Sequence, residues 1–213
     1  MKLHPFALAA AFAVCLTSIK PALADTTVYT QPWTTFNGFT SNSDFQSYDN
    51  FTLSSGATVN EVGWYGTFFN APTAFNISFY ANNGGVPGTL IGTQAVGDGS
   101  PVDAGTLPNF QELYSYSASI SPVSFALGTY WISIQSSASG LAGRWFWETA
   151  SGGDSRFYQT DGATQYNAGY PSDLAFTLSS VTVAPVPEPS SMALLGTGLV
   201  GFAGAVLRKL MKA

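Results

Sequence analysis

Between residues 25 and 184 apolar and polar residues alternate along the chain. The cleanest case is Ala74–Ala81, where Phe75, Ile77 and Phe79 alternate with Asn76, Ser78 and Tyr80. A period of two sends successive side chains to opposite faces of a strand. The same pattern marks Gln46–Leu53, with Phe51 and Leu53 on one face, and Thr58–Phe69, around Val62 and Trp64. It recurs in Gln111–Ile120 around Leu113, Tyr114 and Tyr116, and in the run Tyr130, Ile132, Ile134. Leu174, Phe176 and Leu178 alternate in a last strand that reaches Val183. Shorter strands are expected at Thr27–Thr30, Leu90–Val96, Val123–Leu127, Gly143–Thr149 and Arg156–Gln159. Trp145 and Trp147 share one face of theirs. Ser54-Ser55-Gly56 and Asn82–Gly88 are dense in turn residues. Thr34–Asp44 and Gly97–Pro108 read as loops. Ten or eleven short strands with no helical period predict an all-β fold, an antiparallel β-sandwich. The long, non-hairpin loops favour a jelly-roll-like form, with a closed barrel as the alternative.

Both ends break this pattern. At the amino end Met1-Lys2 precedes an apolar run, Phe6–Ile19, and Ala22-Leu23-Ala24 follows. A short basic start, an apolar stretch and a small-x-small tripeptide define a cleavable signal peptide, with the cut after Ala24. Residues 1–24 are therefore read as the signal, 25–184 as one domain and 185–213 as a separate tail.

The tail has three parts in fixed order. Pro185, Pro187 and Pro189 flank Glu188 in a stretch that lacks backbone donors and stays extended. An uncharged run follows, Met192–Leu207, and then Arg208, Lys209 and Lys212. With Ser190 and Ser191 the run reaches about 18 residues, near the lower limit for a transmembrane helix. Basic residues at its end stay cytoplasmic, which places the body across the membrane.

Removing both ends limits the chemistry. Cys15 is the only cysteine and His4 the only histidine, so the body has no disulfide, no Cys/His zinc site and no His-based triad. Arg144 and Arg156 stand against eleven acids between Asp25 and Asp173, a body charge of −9. Nucleic acid is a poor partner for such a surface.

Val186-Pro187-Glu188-Pro189, the apolar span and the basic end together resemble the PEP-CTERM sorting signal of Gram-negative bacteria. The resemblance covers about the last 28 residues. It implies recognition by exosortase, a membrane-embedded cysteine transpeptidase, and cleavage near Pro187-Glu188-Pro189. The chain is then a substrate that supplies no catalytic residue. The body is similar to a recurrent type among PEP-CTERM surface proteins. That similarity rests on Asp49–Leu53, Val62–Gly66, Phe79–Gly88, Gly128–Ile134, Trp145–Trp147 and Asp173–Leu178. It implies a β-sandwich without established chemistry.

Three chemistries remain open within the body. Exposed aromatic rings stack on sugars, and Trp64, Tyr65, Trp145 and Trp147 are the candidates for exopolysaccharide, with Tyr80 and Trp131 beside them. The same rings serve equally to fill a core that has no disulfide. Asp154, Asp161, Asn167 and Asp173 lie in one loop-rich stretch whose oxygens suit calcium, although no EF-hand spacing is present. Glu61, Glu112 and Glu148 are the glutamates from which a two-carboxylate glycoside hydrolase would draw its pair. The reading favoured by the ends is an exported, non-enzymatic surface or matrix protein with a structural or adhesive role. A carbohydrate-binding module is the first alternative and the hydrolase the second.

Overall fold

The computed structural model describes residues 23–109, 111–162, 165–167, 172–183 and 189–210. In chain order these form β1 (Leu23–Gln31), β2 (Trp33–Thr40), β3 (Gln46–Leu53), β4 (Ala57–Phe68), β5 (Phe75–Asn82), β6 (Pro87–Val96) and β7 (Val102–Thr106). Then come β8 (Glu112–Phe125), β9 (Gly128–Ser136), β10 (Trp145–Ala150), β11 (Phe157–Thr160), β12 (Gln165–Asn167), β13 (Asp173–Leu174) and β14 (Phe176–Val183). One helix, α1 (Pro189–Leu210), follows. The chain separates into a compact body, Asp25–Val181, and a second unit made of its two ends.

The body is two antiparallel sheets. The eight-stranded sheet is built around β4. On one side β4 pairs with β8, which in turn pairs with β7. On the other side two strands share it: Leu178 of β14 lies opposite Val62, and Trp145 of β10 opposite Phe68. β1 lies beyond β14, and β10 also takes β2 and β13. The second sheet has six strands in the order β12-β11-β3-β9-β5-β6. The connections β3–β4, β4–β5, β6–β7 and β8–β9 all pass from one sheet to the other.

The core lies between the sheets and is largely aromatic. Phe51, Trp64, Phe75, Phe79, Trp145, Trp147 and Phe176 are buried there with Val62, Ile77, Ile132, Ile134 and Leu178. The Phe51 ring sits 5.4 Å from that of Phe125 and 6.3 Å from those of Phe79 and Phe176. Burying one such side chain stabilises by roughly 1.5–3 kcal/mol, which lets packing replace covalent cross-links.

Two expected loops are strands. β2 occupies Trp33–Thr40, and β7 occupies Val102–Thr106 with every residue exposed. β7 pairs with β8 and is exposed along its whole length, so it needs no alternation. The two segments expected at Gln111–Ile120 and Val123–Leu127 form the single strand β8. Pro122 falls where the β4–β8 register shifts, between the Glu61–Ser119 and Val59–Val123 pairs. A ladder donor is not needed at a bulge.

Candidate functional site

The outer face of the six-stranded sheet holds a cluster of aromatic side chains. Register sets Tyr158 of β11 opposite Tyr48 of β3. It also sets Trp131 of β9 between Asn50 and Tyr80. The Tyr48 and Tyr80 rings meet edge-on at 5.3 Å, as do those of Trp131 and Tyr158. Trp131 is buried beneath the others and donates its Nε1–H to Asn82 Oδ1 at 3.0 Å. Gln46 donates to the Tyr80 hydroxyl at 3.0 Å and to Ser133 at 3.1 Å. Tyr48, Tyr80, Tyr158, Pro87, Gln159 and Thr160 line a cavity of about 210 Å³. Burial and the neighbouring Tyr80 push the Tyr48 phenol above its ordinary range, so it stays protonated.

Of the aromatics expected to stack on sugar, Tyr80 and Trp131 belong to this cluster and the others lie elsewhere. Trp64, Trp145 and Trp147 point into the core and are at most 1% exposed. A buried ring has no free face, so these three are core residues. Trp64 lies parallel to Tyr116 at 5.5 Å, and Trp147 donates to the Ala175 carbonyl at 2.8 Å. Tyr65 is half-buried and stacks on Trp33 at 6.4 Å. Tyr48 and Tyr158 were missed by sequence reasoning. Tyr48 alternates with Ser47 and Asp49, and a period of two does not say which face is the inner one.

The three glutamates are not brought together. Glu148 follows Trp147, which lies opposite Gly66, so about 13 Å of strand β4 separates its register position from Glu61. Glu112 begins β8, on the far side of β4 from β10, about 10 Å away by strand spacing alone. A glycosidase pair needs roughly 5–9.5 Å. Glu112 is exposed and accepts from the Tyr114 hydroxyl at 2.5 Å.

Glu148 is the unusual one. The β2–β10 register shifts between Trp147 and Thr149, and the bulged β2 segment covers it. It is fully buried and accepts from Thr67 Oγ1 at 3.1 Å and from the Asn37 amide at 3.3 Å. Burial pushes its carboxyl up to about 7, against the partial relief of those two donors.

Asp49 and Asp173 are also buried acids, and the charge of Asp173 acts on Asp49. Asp49 accepts from the Asn50 amide at 2.7 Å and from the Leu174 amide. Asp173 accepts from the amides of Ser155 at 2.8 Å, Gly153 at 3.1 Å and Arg156 at 3.3 Å. Burial raises both carboxyls, Asp49 strongly. The Asp173 oxygens expected to serve calcium thus face three N–H groups, the wrong polarity for a cation. Asp154 and Asp161 are exposed, and the Asn167 side chain lies outside the description. Among the described residues no group of three or more Asp, Glu, His or Cys is placed to hold a metal ion.

At the carboxyl end Pro189 opens α1. Proline suits a first helical position because its missing N–H has no partner to lose there. Arg208 and Lys209 are exposed in the last turn, where cations complement the helix dipole. Leu199, Val200 and Phe202 are more than half exposed. Residues 185–209 match the PEP-CTERM protein-sorting motif.

No curated protein and no solved structure matches the chain. The PEP-CTERM motif marks an exported, surface-sorted protein that exosortase processes. Of its residues, Val186, Pro187 and Glu188 lie outside the described residues, as do Ala22 of the signal cleavage site and Lys212. Ala24 lies in β1. The expected single transmembrane helix is not found: among the described residues no helix is long and apolar enough to cross a membrane. The uncharged run Met192–Leu207 rises about 24 Å, short of the ~30 Å hydrocarbon core, and its four glycines dilute its hydropathy.

Proposed function

We propose that this chain is a structural or adhesive component of the extracellular matrix, delivered as a substrate of exosortase. The match of residues 185–209 to the PEP-CTERM motif carries the reading. The signal peptide takes the chain out, exosortase cuts near Pro187-Glu188-Pro189, and the sandwich is passed to the surface. The body works as a scaffold and not as an enzyme. Its acids favour this: Glu148, Asp49 and Asp173 are buried and engaged by protein donors.

The test is the intact mass and cell fraction of the protein made in its own host. The expected product begins at Asp25, ends near Pro187–Pro189 and lies outside the inner membrane. A product that keeps Met192–Ala213 and stays in the inner membrane overturns the reading.

A further inference from the structure

The cavity over Tyr48, Tyr80 and Tyr158 is uncharged in a body of charge −9. None of its lining residues is Asp, Glu, Lys, Arg or His. It therefore has no counter-charge for a phosphate, a carboxylate or an amine. What it offers is three half-buried phenol rings beside neutral donors and acceptors. Phenol rings stack on the C–H faces of pyranose rings, while phenol and amide groups bond their hydroxyls.

The site is also held in shape. All three tyrosines sit on paired strands, and Gln46 fixes the Tyr80 hydroxyl. Gln159 spends its amide on the Thr40 carbonyl at 2.7 Å and on Ser47 at 3.2 Å. At the rim a Cβ on Gly88 would meet the Ala81 carbonyl oxygen at 2.9 Å and Asn83 at 2.8 Å, so the rim backbone lies close against its neighbours. Sites on rigid elements lose little entropy on binding.

We propose that this groove binds a neutral saccharide through Tyr48, Tyr80 and Tyr158. The inference deepens the adhesive reading and rests on it for the place where the sugar is met. It moves carbohydrate recognition from the buried tryptophans to the outer tyrosines.

Isothermal titration of the chain as its host produces it, against cellohexaose, maltohexaose and xylohexaose, tests this, with hexagalacturonate as the anionic control. Binding to at least one neutral hexasaccharide is expected, unchanged between low and high salt. Tyr158→Ala should weaken it about tenfold, the scale of one lost stacking contact, while Tyr158→Phe keeps the ring and most of the affinity. Thr160→Trp, which fills the groove from its edge, should abolish binding while near-ultraviolet circular dichroism stays native. No binding to any neutral sugar overturns the proposal, as does equal affinity in Tyr158→Ala and Thr160→Trp, or binding of hexagalacturonate alone. Sugar binding by a protein left in the inner membrane sinks the display reading only. Surface location without sugar binding sinks this one only.

Discussion

Glu148 turns a buried acid into a pH dependence whose sign is fixed. Its carboxyl is raised from an ordinary 4.5 to about 7 because burial penalises the charge. Between those values the folded chain holds a proton that the unfolded chain has released. Stability is therefore fully present below pH ~4.5 and falls as pH rises to about 7, by roughly 3 kcal/mol. Asp49 and Asp173, also raised by burial, act with the same sign from a lower starting pH. Glu148→Gln mimics the protonated acid. Urea unfolding at pH 5, 6, 7 and 8 should show a shallower slope than the parent's, the remainder coming from Asp49 and Asp173, with the variant more stable than the parent at pH 8. Parallel curves for parent and variant would assign the pH dependence to other groups.

Two glycines of β4 behave differently because different neighbours face them. A Cβ at Gly66 would stand 2.5 Å from the Cε2, Cζ2 and Nε1 atoms of Trp145. That ring is buried against Phe75 at 5.0 Å and Tyr116 at 6.2 Å, so it has nowhere to move. Gly66→Ala should cost about 1–3 kcal/mol or more through overpacking. A Cβ at Gly63 would meet only the Tyr116 carbonyl oxygen at 3.6 Å and the Thr177 Cβ at 3.9 Å, ordinary contacts. Gly63→Ala should be neutral or slightly stabilising, because alanine loses less backbone entropy. Equal denaturation midpoints for the two variants would show that Trp145 yields after all. The chain alone marks both glycines as interruptions of one strand and does not say which of them a ring covers.

The whole molecule holds together without covalent help. Cys15 is the only cysteine and lies in the expected signal peptide, so the processed protein should carry no thiol. Ellman titration of denatured surface protein should read zero, and its melting temperature should not move with reductant. One thiol per chain would mean that the signal is retained. Stability instead comes from aromatic packing between two sheets, which supports a body of one-sided charge with Arg144 and Arg156 as its only cations.

The sequence by itself determined what is local or periodic. Alternation located β3, β4, β5, β9 and β10 and put Trp145 and Trp147 on one face. The PEP-CTERM segment was legible because it is a linear pattern that needs no partner strand. Tertiary structure decided the rest. A period of two divides a strand into two faces and leaves open which face another sheet will cover. Trp64, Trp145 and Trp147 went inside, while Tyr48, Tyr80 and Tyr158 were left beside a groove. β7, wholly exposed, exists because β8 offers it a free edge, and backbone pairing carries no side-chain signature. Glu148 is buried because a bulge in a strand more than a hundred residues earlier lies over it. Long-range pairing of that kind depends on which edges and faces the folded chain leaves unfilled.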